Sequence, residues 1–539
     1  MAIPDAVQSG EIMPLIIMNY SRGVSAHIPL GRAPFVPCPV APNGNSPDSI
    51  LGLISGKQRP TAGHWTPPNT DNAMWSPSFK SKLPSVTPAL CLILSILSGL
   101  ALAIEPAAVP PLPPAVAKQT INAAEFVNMA ALDCGLQAAI DAAGPDGAIV
   151  LIPPGIYPLH RALILRSNVI LRGSGESTVL RKEGIPGGLL AVEAPKGASE
   201  VVIRAGKGPP FRVGQAIGIT SLYPEGGAWN STHTFVKDIQ GGRIILEGAA
   251  KCRYSLGIKP TALGIHPAIF ANGQTNVAIE NLAIDHTSPV AGSRVGRVDF
   301  TFSAIELEKC HRVLIRNVSV TGWPSDGISV QGGSEALVTG CRVTKCGGHG
   351  FHPGTKIHDS VFTENIARGN QGDGLFFCLG VRKITVSKSI FSGNSGSGIG
   401  DLGCAGDTLN TCIGNTCTDN GRAGIHMNGY RNTDGRNNSV INNICLNNSR
   451  SKPGAYPGIL LSDTKDSLVE GNRCGDDQKI PTQLMGIRET GRSDRNQIVN
   501  NQTARANKDE TSIVILGANT KAAGNTEWRM EERPITLNQ

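Results

Sequence analysis

The stretch "SDGISVQGGSEALVTGCRVTKCGGHGFHPGTKIHDSVFTENIARGNQGDGLFF", residues 325–377, says nearly the same thing three times. Ser325-Asp326-Gly327-Ile328 is followed by Gly348-His349-Gly350-Phe351 and then by Gly372-Asp373-Gly374-Leu375. In each phrase an apolar residue follows the last glycine, and the residue before that glycine is Asp, His, then Asp.

Outward from this stretch the phrase recurs. The marker glycines are Gly327, Gly350, Gly374, Gly398, Gly424, Gly458 and Gly486, spaced 23, 24, 24, 26, 34 and 28 residues apart. The residues after them, Ile328, Phe351, Leu375, Ile399, Ile425, Ile459 and Ile487, are all apolar, and Ile305 fills the same register one coil earlier. A period of this length is the signature of a solenoid, since one coil of two or three short strands cannot bury its apolar face alone. Stacking turns like residues into columns. The expectation is an all-β solenoid in which each marker glycine makes a bend, the apolar residue points inward, and asparagines such as Asn281 and Asn317 satisfy buried bends.

The rest of the chain frames this core. "NMAALDCGLQAAIDAAG", residues 128–144, predicts a short capping helix, with Leu132, Leu136 and Ile140 on one side and Gly144-Pro145 ending it. Phe211–Tyr254 breaks the coil rhythm and predicts a small antiparallel insertion, bounded at about 205–262. "MWSPSFKSKLPSVTPALCLILSILSGLALA", residues 74–103, places Lys80 and Lys82 before an apolar run and ends in small residues. It predicts a secretory signal peptide, with Met74 as the natural start and 1–73 as a non-native upstream extension. The apolar run is shorter than the ~20 residues of a membrane span, so no stable span is expected after cleavage. Residues 104–125 are expected to be a Pro-rich linker, 126–525 the solenoid and 526–539 a tail. The predicted localisation is secreted, periplasmic or cell envelope.

Composition agrees. Gly 64, aromatics 4% and charged residues 17% suit a turn-rich β protein. A net charge of +7 without a dense basic run gives no support for nucleic-acid binding. The cysteines lack zinc-site spacing, and Cys341, Cys412, Cys417 and Cys445 are expected to be small core fillers.

"GAIVLIPPGIYPLHRALILRSNVILRGSG", residues 147–175, and the coils "NVAIENLAI" and "RVLIRNVSV" carry a resemblance to the right-handed parallel β-helix (pectin lyase-like) superfamily. That superfamily includes pectate lyases, polygalacturonases and mannuronan epimerases, and the resemblance covers roughly 126–520. It implies the fold and a polysaccharide partner but not one reaction. Gly348-His349-Gly350 resembles the G-H-G element of polygalacturonases, and Ser325-Asp326-Gly327 resembles part of their N-T-D element. Their Asp-Asp and R-I-K elements have no counterpart here. Nor do the Arg-centred motifs of pectate lyases, and "FHPG" lacks the acid of the epimerases' D-P-H.

Two columns carry the candidate chemistry. Before the marker glycines stand Ser303, Asp326, His349, Asp373, Ser397 and Ala423; two residues past them stand Glu306, Ser329, His352, Phe376, Gly400 and His426. With coils about 4.8 Å apart, Asp326 and Asp373 are expected roughly 9.5 Å apart with His349 between them. That is the upper end of an inverting glycosidase's carboxyl spacing. Asp326, His349 and Asp373 are therefore the candidate catalytic residues. Glu306, Trp323, His352, Phe376, Arg382 and Arg422 are the candidate substrate-binding residues, with His286 a weaker outlier. As a hydrolase, one Asp protonates the leaving oxygen and the other activates water, with His349 relaying protons. As a uronide lyase, His349 or His352 takes a proton beside a carboxylate that Arg382 or Arg422 neutralises, and calcium (Ca2+) is its candidate cofactor. Asp-Gly is also a common turn dipeptide. The competing class is a non-catalytic glycan-binding or structural envelope β-helix.

Overall fold

The computed structural model describes residues 119–204, 210–221, 231–287, 300–429, 435–504 and 511–528. The expected upstream extension and signal peptide lie outside these residues.

Three short strands per coil stack into parallel ladders. One eleven-stranded parallel sheet runs Leu163–Ile164, Ile269–Asn272, Ile305–Glu308, Ile328–Gln331, Phe351–Gly354, Leu375–Phe376, Ile399–Leu402, Ile425–Asn428, Ile459–Ser462, Ile487–Thr490 and Ile513–Val514. The other two faces are continuous where a single strand bends across both. Thr275–His286 pairs with Ile170–Arg172 through Ala278–Glu280 and with Thr178–Lys182 through Ala283–His286. The bend falls at Asn281, and the next coil bends at Asn317; both residues are left-handed.

The apolar column is in register as expected. Ile305, Ile328, Phe351, Leu375, Ile399, Ile425, Ile459 and Ile487 are successive partners. All eight are fully buried in one continuous core. Cys341, Cys412, Cys417 and Cys445 fill the same interior as free thiols.

The reason for the marker glycines differs from the expected bend. From Gly327 through Gly486 none has a left-handed φ. They sit where stacked backbones crowd: a Cβ on Gly350 would lie 2.5 Å from the Gly374 carbonyl oxygen, and one on Gly374 would lie 2.6 Å from that of Gly398. Glycine is needed here for close approach, not for backbone freedom.

The asparagines also divide. Asn281 and Asn317 join side chain to side chain on the surface. The buried bends are held by other residues. Asn415, Asn443, Asn472 and Asn501 form one ladder, each accepting the backbone N–H of the residue one coil before. Asn370, Asn394, Asn420 and Asn448 form a second. Each ladder supplies acceptors to N–H groups that the turns remove from strand pairing.

At the N-terminal end, Thr120–Asn122 pairs in parallel with Ile149–Leu151, inside the stretch expected as linker. The helix Leu136–Asp141 buries Leu136, Ala139 and Ile140 over the first coils. The insertion is a six-stranded antiparallel sheet in the order Gly187–Leu189, Thr261–Leu263, Ala216–Thr220, Thr232–Gln240, Arg243–Leu246, Glu200–Val202. It starts nearer Gly187 than 205, because both edge strands, Gly187–Leu189 and Glu200–Val202, precede 205, and it has its own core around Ile217, Ile219, Val236 and Tyr254. At the C-terminal end, Thr526–Glu527 still pairs with Gln502–Thr503, within the expected tail. No helix among the described residues is long and apolar enough to cross a membrane.

Candidate active site

The turn leading into the eleven-stranded sheet places Asp326, His349 and Asp373 on one wall. Each binds a backbone N–H of the next coil: Asp326 Oδ1 accepts His349 N at 2.6 Å, His349 Nδ1 accepts Asp373 N at 2.9 Å, and Asp373 Oδ1 accepts Ser397 N at 2.5 Å. The column thus carries structure as well as charge. It also explains the glycines that stand before His349, Asp373 and Ser397. A Cβ on Gly348 would collide with Asp326 Oδ1, one on Gly372 would fall 2.7 Å from His349 Nδ1, and one on Gly396 would collide with the Asp373 carboxyl.

The remaining carboxylate oxygens turn toward imidazoles. Asp326 Oδ2 lies 2.7 Å from His352 Nδ1, and Asp373 Oδ2 lies 3.2 Å from His349 Nδ1. Phe376 links the two rings, stacking on His349 at 4.3 Å and meeting His352 edge-on at 5.0 Å. His349 is the more exposed of the two, with 18% of its side chain open against 3% for His352. Burial pulls the His352 pKa down, but Asp326, with the Cys378 thiol beside it, more than reverses this and lifts it to about 10. Burial pushes both aspartates up; His349 and His352 around Asp326, and His349 and Arg422 around Asp373, reverse this and hold both below the usual range.

Asp401 completes the wall and was not among the expected residues. The pairing of Ile399 with Ile425 shifts by one at Leu402–Met427, a bulge that turns Asp401 to a left-handed φ of 55°. The sequence signal was Gly400 standing in an outward column with an acid directly after it. Asp401 accepts Asn428 Nδ2 at 3.1 Å and lies 3.7 Å from His426 Nδ1. The Asp373 carboxyl presses on the same bulge, since a Cβ on Gly400 would lie 2.6 Å from Asp373 Cγ. Burial and the Asp373 charge push the Asp401 pKa up, against the pull of His426. Burial lowers that of His426 despite both acids.

Four of the expected residues are either placed elsewhere or sealed. Trp323 is fully buried, its indole N–H donating to the Phe302 carbonyl at 2.7 Å, so it packs the core and offers no ring to a sugar. Arg382 opens the strand Arg382–Ser387 on a different face of the coil, opposite His358. Glu306 is in the outward column but sealed, and burial raises its carboxyl well above the ordinary range. His286 lies off this wall, opposite Lys182. Arg422 does adjoin the wall, its charge acting on Asp373 and His426.

The donor set does not fit calcium, because the wall aspartates spend their oxygens on N–H groups and imidazoles. Among the described residues no three His, Cys, Asp or Glu side chains are arranged to hold a metal.

A family model described as "Right handed beta helix region" matches residues 261–406. The chain matches no curated protein. Among solved structures it is similar to the mannuronan C-5 epimerase AlgE6 A-module of Azotobacter vinelandii, at 17% identity over 76% of this chain and 99% of that one, with a TM-score of 0.45. It is also similar to DFA-IIIase of Arthrobacter chlorophenolicus A6 without its lid, at 14% identity, 76% and 99% coverage and a TM-score of 0.45. A third is an exopolygalacturonase of Thermotoga maritima, at 13% identity, 77% and 93% coverage and a TM-score of 0.40. Likeness at this level says nothing about which reaction the wall performs. The in-register coils and the matched region together make the described solenoid a right-handed parallel β-helix.

Proposed function

We propose that the protein is a carbohydrate-active enzyme that cleaves glycosidic bonds of a polysaccharide, with Asp401 as general acid and Asp373 as the ionised carboxylate. The observation that carries this is the pair itself: the Asp373 carboxyl packs against Gly400 in the bulge that carries Asp401, and their surroundings shift the two pKa values in opposite directions. Such a divergence assigns acid and base roles on one wall. Asp401 keeps its proton and gives it to the leaving oxygen. Asp373 takes one from the attacking water. His349, stacked on Phe376, accepts the Asp373 backbone N–H and so holds that residue in place. Asp326 is a poorer acid than expected from its position before Gly327, because it is ionised and spent on His349 N and His352. Its role is to position His352.

Arg422 supports a second reading. Its charge lies beside Asp373 and His426, where a uronate carboxylate would be neutralised, with His426 or His349 as the base of a lyase. Export to the cell envelope or beyond accompanies either version. Purified protein, incubated with polygalacturonate, alginate, xylan and inulin, is expected to yield reducing ends or free sugars without ultraviolet-absorbing unsaturated products. Unsaturated products would transfer the assignment to the lyase. Full activity in Asp373→Asn together with Asp401→Asn would leave the wall as a glycan-binding surface.

A further inference from the structure

The outward column changes character along the solenoid. Glu306 and Ser329 are fully buried, Gln331 nearly so, and His352 and Phe376 only slightly exposed. From the bulge onward, Asp401, His426, Leu460 and Arg488 are partly exposed, with 14% of the Asp401 side chain and 23% of that of His426 open. Glu306, Ser329 and His352 are register partners, as are His426, Leu460 and Arg488 on the same sheet, so the difference comes from what lies above them.

The insertion supplies that cover. His233, on its strand Thr232–Gln240, stacks on Phe302 at 4.3 Å and 7°, and Thr301 Oγ1 lies 2.9 Å from its Nε2. Gly218, on the neighbouring strand, leaves room for the same Phe302 ring, which an added Cβ would strike. Phe302 stands just before the strand Ile305–Glu308. At the far end of that strand, Lys251 of the insertion is close enough for its charge to act on Glu308. The insertion therefore reaches the strand on both sides of Glu306.

The covered floor is polar. Neither Glu306 oxygen has a hydrogen-bond partner of good geometry among the described residues, although the Ser329 and Ser303 hydroxyls lie beside it. Gln331 Nε2 donates to Ser329 Oγ at 2.9 Å. Sealed beneath the insertion, these groups are out of reach of a sugar and mark where the groove ends.

Resting on the reading of the wall as a glycosidic-bond-cleaving site, we infer that the roofed floor of Glu306, Ser329 and Gln331 closes one end of the groove and makes the enzyme attack chain ends. The polymer lies over Asp401, His426 and Arg488, and its terminal unit stops against the roof. One small product of fixed size leaves per turnover.

The test uses the intact protein and the polysaccharide it turns over, as an oligosaccharide series tagged at the reducing end with 2-aminobenzamide. End attack places the tag wholly in the smallest product or wholly in the shrinking remainder, and viscosity of the parent polymer falls slowly while sugar is released. A ladder of tagged sizes in the first minutes, with a steep early fall in viscosity, overturns the closed end and leaves the cleavage assignment standing. Turnover of no polysaccharide overturns the cleavage assignment, and this inference with it.

Discussion

Asp326 Oδ2 and His352 Nδ1 meet at 2.7 Å across one coil boundary, so the acid of one coil holds the imidazole of the next. Both side chains are almost fully buried, and the pair stands between the roofed floor and the Asp373–Asp401 wall. It therefore fixes His352, and through Phe376 the face on which His349 rests.

This pair should stabilise the fold within a defined pH window. His352 is lifted to about 10, so its contribution is complete below the unfolded value of about 6.5 and drains away as pH rises through the folded value. Asp326 is depressed, so its contribution is present above about pH 3.9 and is lost as pH falls through its folded value. The maximum lies between about pH 4 and 6.5. Asp326→Asn is expected to cost ~3–5 kcal/mol at pH 5.5 in urea unfolding, because it leaves a buried imidazolium unpaired. The cost should shrink by pH 10. An equal cost at both pH values would show that the pair is not ionic.

Much of this was legible from the period alone, and the exceptions have physical reasons. An apolar residue after every marker glycine can face only one way in a stacked coil, so Ile305 through Ile487 were identifiable without coordinates. Asp326, His349 and Asp373 followed from their fixed place before the glycines. Asp401 did not, because a bulge shifts the in–out alternation by one residue and Gly400 held the expected position. Trp323 and Arg382 sit in or beside turns, where repeat spacing places a residue along the axis but does not say which way it points. The cover over Glu306 comes from a segment of different periodicity, so the coil pattern carries no trace of it.

Leaving-group ability should separate the roles of the two wall acids. An activated aryl glycoside expels a phenolate that needs no proton, whereas a sugar leaving group does. Asp401→Asn is expected to lose on the order of 10²–10⁴ in kcat on polymer but far less on the aryl glycoside matched to it. Asp373→Asn should lose activity on both. It should also lower the Asp401 titration, read from carboxyl carbon shifts, since the Asp373 charge is one of the causes raising it. Equal losses for Asp401→Asn on both substrates would remove it as the general acid.

The marker glycines predict a contrast between two alanine substitutions. Gly350→Ala puts a methyl 2.5 Å from the Gly374 carbonyl and 2.6 Å from the Ala367 Cβ, deep in the stack. Overpacking of this kind costs about 1–3 kcal/mol or more. Gly369 has a left-handed φ of 69° with no atom nearer than 3.8 Å, so Gly369→Ala meets only the backbone cost of about 1 kcal/mol. Urea melts should rank Gly350→Ala as the more damaging. The reverse order would restore backbone freedom as the reason for the marker glycine.

The asparagine columns predict the sharper contrast, because two residues of one type do different work. Asn443 is buried and makes four bonds: its Oδ1 accepts Asn415 N at 2.9 Å and Asn415 Nδ2 at 3.0 Å, and its Nδ2 donates to the Cys412 carbonyl at 2.9 Å and to Asn472 Oδ1 at 3.0 Å. Asn443→Ala strands those partners where no solvent reaches, at about 1–3 kcal/mol for each group left unpaired. The total should be at least about 3 kcal/mol and should be felt first in the coils from 415 to 472, as early hydrogen exchange there. Asn317 gives one exposed side-chain bond to Asn281 and needs only its left-handed φ of 52°. Asn317→Gly keeps that φ and should change stability by no more than about 0.5 kcal/mol. If the two substitutions cost the same, the buried ladder is not what holds these turns, and side-chain packing across the coils must carry the stack instead.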